Sequence, residues 1–382
     1  MKKIPRNVLI LGFVSFFTDV ASEMVIPLLP IFLTSVLGAT ALAVGWIEGL
    51  ADATASLLKL LSGRWSDRLG RRRPLVIAGY TLSSLVRPFI ALAASAWHVL
   101  FVRVVDRIGK GIRTSPRDAL LAASAPPELH ASAFGLHRAM DHMGAVVGPL
   151  CAAGFLAFVS QDLRTLFWLT AIPGAAAVLV LLVAVREPAP PSESAPPVPA
   201  SGSSRRLVRL LVPLGLFTLG NASDVFLLLK AGAEQAPLTT LPLLWMGLHV
   251  VKAVASLAGG RLADRWDRRH TIIVGWLYYA AVYAGFAFAD DPWIVAVLFL
   301  SYGVYHGLTE GAERALVAEL VPAVRWGSGF GWYHLTLGAL TLAASVLFGA
   351  LWTRFGSPVA FLTSSALAVL AAIALYGTKR SA

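Results

Sequence analysis

The sequence predicts an all-α polytopic membrane protein with 12 transmembrane helices arranged as two pseudo-symmetric six-helix bundles. Three observations lead to this fold class. Of the 382 residues, 57% are hydrophobic and only 14% are charged, whereas a soluble domain has about 25% charged residues. The apolar residues recur in segments of about 20 residues, which is the length of a membrane-crossing helix. The later segments also repeat motifs of the earlier ones.

Six predicted spans precede a Pro/Ser-rich stretch, and six follow it. Proline and glycine inside the spans are tolerated because neighbouring helices satisfy the backbone groups that these residues free. The segments are too long for barrel strands and lack alternation with a period of two. The spans are predicted at residues 8–33, 42–62, 74–95, 97–122, 131–159, 164–185, 210–232, 240–259, 271–289, 293–318, 327–352 and 358–377. We therefore expect an N-terminal bundle over residues 1–186, a cytoplasmic linker over 187–206 and a C-terminal bundle over 207–382.

Basic residues predict the orientation of these spans. The net charge is +11, and in a membrane protein Lys and Arg concentrate in short cytoplasmic loops. With both termini cytoplasmic, the outer loops hold only Arg164 and Arg354. We expect a multi-pass protein of the cell membrane, with the lipid bilayer as its surroundings, a small-molecule substrate, no nucleic-acid partner and a monomeric state. The single cysteine, Cys151, excludes an internal disulfide framework.

The two halves repeat one another in sequence as well as in span count. Residues 63–73, GRWSDRLGRRR, follow the second span, and residues 260–269, GRLADRWDRR, follow the eighth. Parallel six-helix repeats with a substrate site near their interface are a known transporter architecture. Two shorter pairs belong to the same repeat: residues 21–23 with 222–224, and residues 132–135 with 328–331.

These motifs resemble those of the major facilitator superfamily, and the resemblance covers nearly the whole chain. The 63–73 loop matches the signature Gly-x-x-x-Asp-Arg-x-Gly, and its second copy has Asp267 in place of the second glycine. Arg103 matches the family's buried arginine, and residues 144–149 are similar to the antiporter motif, with Leu150-Cys151 replacing its glycine pair. The resemblance implies a secondary transporter that works by alternating access.

The resemblance also implies a gate at the inner loops. Arginines in these loops can pair with carboxylates or helix C-termini only while the inner face is closed, although a role in membrane topology explains the arginines about as well. Glycines spaced like those of the antiporter motif let helices approach closely, and the following proline bends the helix. The gating candidates are Gly63, Asp67, Arg68, Arg71, Asp264, Arg265, Gly144, Gly148 and Pro149.

Ionisable residues inside the spans are costly, and each requires a partner or water. Spans six, nine and twelve have none and span three has only Arg87, so the remaining spans are expected to line the cavity. In span four, six charged residues fall within a sector of about 120° at 100° per residue. We call this set, Arg103, Asp106, Arg107, Lys110, Arg113 and Arg117, the basic stripe.

The basic stripe has two interpretations. It is either an internal ion-pair network or, because cations exceed acids, a site for an anionic or zwitterionic solute. Span ten carries acids at the equivalent positions, so salt bridges that seal an empty cavity are equally consistent with the pattern. The substrate-binding candidates are Arg103, Asp106, Arg107, Lys110, Arg113, Arg138, Asp141, His306, Glu310 and Glu313.

Acids in spans one and two are the candidates for proton coupling. A carboxylate that leaves water is favoured in its protonated form and can exchange a proton with a gradient. These candidates are Asp19, Glu23, Glu48 and Asp52. We expect proton-coupled export and no bound cofactor.

The alternatives are a divalent-metal or metal-chelate exporter, an uptake symporter and a membrane sensor. Metal sites would use His306 with Glu310, or His137 with Asp141, although such pairs are more often hydrogen-bonded. No nucleophile–His–acid set is present in the sequence, so we expect no enzyme. No ATP-binding loop is present either, so any pumping must use an ion gradient.

Overall fold

The computed structural model describes residues 4–188, 200–233 and 241–378, and within these ranges the chain is helical and has no β-strand. Residues 189–199 of the predicted linker therefore lie outside the described residues. Short 3-10 helices span Arg87–Leu92, Pro127–Leu129 and Ala323–Arg325, and a π-helical turn spans Phe32–Val36. The α-helices are α1 (Arg6–Glu23), α2 (Leu29–Ile31), α3 (Ala41–Leu69), α4 (Arg73–Val86), α5 (Ala96–Ala123), α6 (His130–Phe158), α7 (Leu163–Leu169), α8 (Ala171–Ala184), α9 (Ala200–Gly220), α10 (Val225–Ala233), α11 (Leu241–Arg265), α12 (Arg268–Phe288), α13 (Pro292–Leu320), α14 (Trp326–Phe355) and α15 (Ser357–Gly377).

Hydropathy alone identifies only some of the predicted spans. In the described part of the chain, eight helices are long and apolar enough to cross a membrane, and they correspond to spans three, five, six and eight to twelve. α3 and α5 are long enough but carry many charged residues. Spans one and seven are interrupted, because α1 ends at Glu23 and α9 at Gly220. A hydropathy average counts every charge as a cost, whereas a charge paired inside the protein costs much less.

The chain folds as two compact units. The first comprises residues 1–125, 140–192 and 323–335, and the second comprises 126–139, 193–322 and 336–382. Each unit thus includes the first turns of one helix from the other half of the sequence: the start of α14 belongs to the first unit, and the start of α6 to the second. The predicted domain boundaries near 186 and 207 remain a prediction.

The two units pack their helices in the same order. In the first, α5 packs along α3 and α4, and α8 contacts α1 and α4; in the second, α13 packs along α11 and α12, and α15 contacts α9 and α12. Close glycine contacts occur in both units, between α4 and α5 in the first and between α11 and α13 in the second. A Cβ on Gly79 would overlap the carbonyl of Gly109, and a Cβ on Gly259 would overlap that of Gly307. This repeated packing is what the sequence repeat predicts.

Aspartate side chains begin several helices by accepting backbone N–H groups that the first turn leaves without a partner. Asp267 caps α12 by accepting from the N–H of Arg269 at 2.9 Å and of His270 at 3.2 Å. Asp162 caps α7 and Asp291 caps α13 in the same way. Position 267 departs from the glycine of the loop signature, and the departure has a structural reason because this residue starts a helix.

Candidate functional site

The N-terminal part of the basic stripe is neutralised by acids of the first unit. Arg103 donates to both carboxylate oxygens of Glu48, from Nε at 2.9 Å and from Nη2 at 2.5 Å. Its Nη1 lies 3.8 Å from Asp106 Oδ2. Asp106 also accepts a 2.9 Å hydrogen bond from Nη2 of Arg87. Arg87 is the charged residue of span three and was not among the predicted site residues. The two arginines are therefore matched by two carboxylates.

Two further arginines of the stripe also have partners. The Nε of Arg107 lies 3.4 Å from Asp52 Oδ1, and the Asp52 side chain is 70% exposed. Arg113 donates to Ser83 Oγ at 2.6 Å, and its guanidinium carbon lies 4.4 Å from the centre of the Tyr80 ring. Arg113 is thus stabilised by a hydroxyl and an aromatic face rather than by an ion pair.

The end of the stripe forms a buried link to α14. Arg117 donates to Asp118 Oδ1 from Nη2 at 2.8 Å and from Nε at 3.0 Å. The other oxygen of Asp118 lies 2.7 Å from His334 Nε2. Asp118 and His334 were not among the predicted site residues. Asp118 is the neighbour of Arg117 on α5, but no pattern within α5 points to His334, which lies on α14.

Lys110 differs from the arginines around it. Among the residues that the structure describes, its ammonium has neither a hydrogen bond nor an ion pair within 4.0 Å, and the residue is exposed although it lies near the middle of span four. Lys59 on α3 is likewise without such a partner. Charge repulsion from Arg107 and Lys59 acts on Lys110, against attraction from Asp19 and Asp52. The two lysines therefore form a positively charged site, and no carboxylate of the described residues lies within 4.0 Å of either ammonium.

The predicted coupling acids of span one lie where α6 packs against α1. A Cβ on Gly144 would meet the Phe16 carbonyl and the Asp19 Cβ, and a Cβ on Gly148 would meet Glu23 Cβ and the backbone beside it. The glycines of the antiporter-like motif thus allow direct contact with the two acid-bearing residues. Pro149 follows them inside α6 and is half-buried.

A second charged cluster lies in the second unit. Glu310 accepts a 2.5 Å hydrogen bond from Arg138 Nε, and its other oxygen lies 3.3 Å from His306 Nδ1. Glu313 is buried beside Trp276 Nε1, at 3.4 Å. The structure therefore brings together Arg138, His306 and Glu310 in one cluster.

Asp141 lies in the first unit, where it is buried and attracts Arg117. Metal binding would need more ligands than these pairs supply. Across residues 4–188, 200–233 and 241–378, no group of three or more His, Cys, Asp or Glu side chains could hold a metal ion.

An ion pair at the break in span seven was missed by the sequence analysis. Lys252 Nζ donates to Asp224 Oδ2 at 2.9 Å, and the Tyr302 hydroxyl donates to Asp224 Oδ1 at 2.7 Å. Asn221 Nδ2 donates to the Tyr305 hydroxyl at 2.8 Å. The repeat contained a signal for this site, because residues 222–224 match residues 21–23, which end in a selected acid.

The gating candidates Asp67 and Asp264 have equivalent roles in the two units. Asp67 accepts hydrogen bonds from the backbone N–H of Gly327 at 2.8 Å and of Ser328 at 2.6 Å, at the start of α14. Burial raises the pKa of the Asp67 carboxyl, and these hydrogen bonds act in the opposite direction. Asp264 accepts from the N–H of Ala131 at 2.9 Å and of Ser132 at 2.7 Å, at the start of α6. We call these two residues the capping carboxylates.

Close packing accompanies each cap. A Cβ on Gly63 would overlap the carbonyl of Gly327, and a Cβ on Gly260 would overlap that of Ala131. At these two positions only glycine lets the helices approach so closely. Substitution at either position would therefore separate the carboxylate from the N–H groups it caps.

Two arginines outside the predicted gating set contact these loops. Arg72 donates from Nη2 to the Ala323 carbonyl at 2.6 Å, and Arg268 donates to the equivalent Pro127 carbonyl. Each carbonyl opens a 3-10 helix. The predicted Arg68, Arg71 and Arg265 are exposed and, in the described part of the chain, make no hydrogen bond or ion pair.

Comparison with known proteins identifies relatives over the full length. A sequence model of the Major Facilitator Superfamily matches residues 11–250 and 232–382. An uncharacterised MFS-type transporter of Methanocaldococcus jannaschii is 29% identical over 98% of this chain and 95% of its own length. The multidrug resistance protein MdtH of Aeromonas hydrophila is 26% identical over 83% of this chain and 81% of its own length.

Solved structures agree with this result. The crystal structure of the human organic anion transporter MFSD10 superposes with a TM-score of 0.80 at 16% identity, and the match covers 97% of this chain and 99% of that one. At this identity the likeness shows the fold alone. Together with the sequence match, it confirms the predicted fold of 12 helices in two six-helix bundles.

Proposed function

The chain belongs to the Major Facilitator Superfamily, and from this premise we propose that it exports a small anionic or zwitterionic organic solute in exchange for protons. Membership confirms the resemblance found in its motifs and identifies a multi-pass membrane transporter. Alternating access is the mechanism expected for such a protein. We propose no enzymatic step.

The proposed negative charge of the substrate rests mainly on Lys110 and Lys59. The arginines beside them already have carboxylate, hydroxyl or aromatic partners, whereas the two lysines have no ion pair among the described residues. Opposite charges attract strongly in a partly dry site. An anionic group therefore gains affinity from this pair without displacing an acid of the protein.

Export is supported by two weaker observations. Relatives named multidrug resistance protein MdtH match the chain, and Gly144 and Gly148 of the antiporter-like motif contact the acid-bearing face of α1. For proton coupling, Glu23 is our first choice. Its carboxylate makes no hydrogen bond or ion pair in the described part of the chain, whereas Glu48 and Asp52 lie beside arginines.

Replacing Lys110 or Lys59 with glutamine is expected to weaken substrate binding about tenfold, which corresponds to about 1.4 kcal/mol. The melting temperature without ligand should stay unchanged, because neither ammonium has an ion pair to lose. A panel of organic anions, zwitterions and cations is first screened in proteoliposomes with a pH-sensitive dye. Ligand-induced thermal shifts are then measured for the hits.

Arg103→Gln is the matched control, because it also removes one cation from the same face. It leaves Glu48 without its partner and should lower the free energy of unfolding by about 2–3 kcal/mol, since Glu48 is partly exposed and a fully buried pair would cost more. Transport of cations alone, or normal affinity in both lysine variants, would contradict the proposed substrate charge.

The proposed orientation places both termini in the cytoplasm of a cell whose inner membrane holds the protein. With Cys151 replaced by serine, single cysteines at positions 70 and 267 should react only with reagent on the cytoplasmic side. A cysteine at position 291 should react only from outside. Labelling of 267 and 291 from the same side would overturn the topology, because α12 separates them.

A further inference from the structure

A groove with a volume of about 910 Å³ runs along α4 in the first unit, and its walls change from basic to apolar. Arg71 and Arg73 lie at one end, together with Glu187. Ile77, Leu82 and other apolar side chains line the remainder. The groove lies outside the charged clusters described above. Arg71 is one of the gating candidates, but in the described part of the chain it makes no hydrogen bond or ion pair.

The two arginines and one glutamate that line this groove leave an excess of one cation. The Glu187 oxygens accept from the backbone N–H of Arg72 at 3.0 Å and of Arg73 at 2.7 Å, so this carboxylate caps the first turn of α4. Arg73 Nη2 donates to the Leu182 carbonyl at 2.8 Å, and its buried Nε has no hydrogen-bond partner. Arg71 is exposed and, within the described ranges, makes no ion pair. Among the residues that the structure describes, neither guanidinium is paired with a carboxylate.

The dimensions of the groove match one lipid. From Arg73 to Leu85 there are 12 residues of helical rise, or about 18 Å at 1.5 Å per residue. One leaflet of a bilayer has a hydrocarbon depth of about 15 Å. Leu85 is 65% exposed, as expected for a side chain that faces lipid. Arg71 and Arg73 thus lie about one acyl-chain length from the apolar end of the groove.

We propose that this groove binds one anionic phospholipid of the inner leaflet. The lipid phosphate lies between the guanidinium groups of Arg71 and Arg73, and one acyl chain runs along Ile77 and Leu82. The inference rests on the proposed orientation of the chain, which places the start of α4 at the cytoplasmic surface. Basic pockets on this side of a membrane protein are suited to acidic headgroups.

Native mass spectrometry of the full-length protein, supplied with phosphatidylglycerol or phosphatidylcholine, tests the proposal. The unaltered protein should retain one phosphatidylglycerol and should bind it more tightly than phosphatidylcholine. Arg71→Gln should weaken this binding about fivefold, which is the effect expected of one basic residue at a membrane surface. This substitution breaks no hydrogen bond or ion pair among the described residues, so we expect the fold to be preserved.

Two further variants separate the groove from general surface charge. Arg325→Gln removes one exposed arginine outside the groove and should leave phosphatidylglycerol binding unchanged. Ala78→Trp fills the groove without changing its charge and should abolish the preference for phosphatidylglycerol over phosphatidylcholine. Equal loss in Arg71→Gln and Arg325→Gln would overturn the proposal, as would equal retention of both lipids or full competition by inorganic phosphate. The readout needs no transport, so its failure is distinct from failure of the proposed function.

Discussion

Replacing Glu23 with glutamine is expected to abolish proton-driven accumulation of substrate and to spare exchange of substrate across the membrane. Glutamine cannot take up a proton, but it has nearly the same shape and can remain packed against Gly148. Accumulation in proteoliposomes with an imposed pH gradient should fall to the level seen without a gradient. Counterflow, which needs no gradient, should continue at a rate close to that of the unaltered protein.

Asp52→Asn provides the matched control for this experiment. It also removes one carboxylate from the first unit, but Asp52 lies 3.4 Å from Arg107 and its side chain is 70% exposed. We expect its proton-driven accumulation to be largely retained. Retained accumulation in Glu23→Gln would contradict the assignment. If Asp224→Asn then lost accumulation instead, the coupling group would lie in the second unit.

Replacing Asp67 or Asp264 with alanine is expected to loosen the contact that each carboxylate makes with the start of α14 or α6. Each variant loses two hydrogen bonds to backbone N–H groups at a helix N-terminus. Loss of such a cap costs about 0.5–2 kcal/mol, and one or two kcal/mol changes an equilibrium about 5- to 30-fold. For Asp67 we expect a change at the lower end, because burial of its carboxyl opposes part of the gain from the hydrogen bonds.

Distances between spin labels measure this effect. With Cys151 replaced, labels at the exposed positions 69 and 324 report on the contact of Asp67, and labels at 128 and 266 report on that of Asp264. Each alanine variant should add a population with a longer distance in its own pair. The distance distribution of Asp67→Asn should lie between those of the unaltered protein and Asp67→Ala, because the amide oxygen of asparagine still accepts hydrogen bonds. Unchanged distributions in both alanine variants would show that the capping carboxylates only shape their loops.

Much of the fold could be predicted from the sequence because its signals are local or repeated. Span length, hydropathy and glycine spacing act within single helices, and the repeat identified Asp67 and Asp264 as equivalent before any contact was known. The same repeat matched residues 222–224 to 21–23, although Asp224 was not selected. A charge census could not show that Lys252 lies beside it on α11, because that pairing depends on how two helices meet.

The candidate site was predicted as a set of residue types, and the structure decided which members share partners. Helical periodicity placed Arg103, Arg107 and Lys110 on one side of α5, but it could not separate paired cations from unpaired ones. Interhelical packing decided this: α3 presents Glu48 to Arg103 and brings Lys59 near Lys110. A local pattern also could not show which of three consecutive arginines contacts the turn before α14. In the structure this arginine is Arg72.

The sequence by itself determined the membrane class, the two-fold repeat, the family and the helices that carry charge. These properties follow from the free energy of placing each segment in lipid and from short motifs with fixed spacing. Only the tertiary structure decided that Lys110 and Lys59 have no carboxylate partner among the described residues, that Glu187 caps α4, and that the carboxylates of Asp67 and Asp264 accept from backbone N–H groups. Each of these contacts joins residues far apart in the chain, and their positions depend on close helix approaches at glycines such as Gly63 and Gly260.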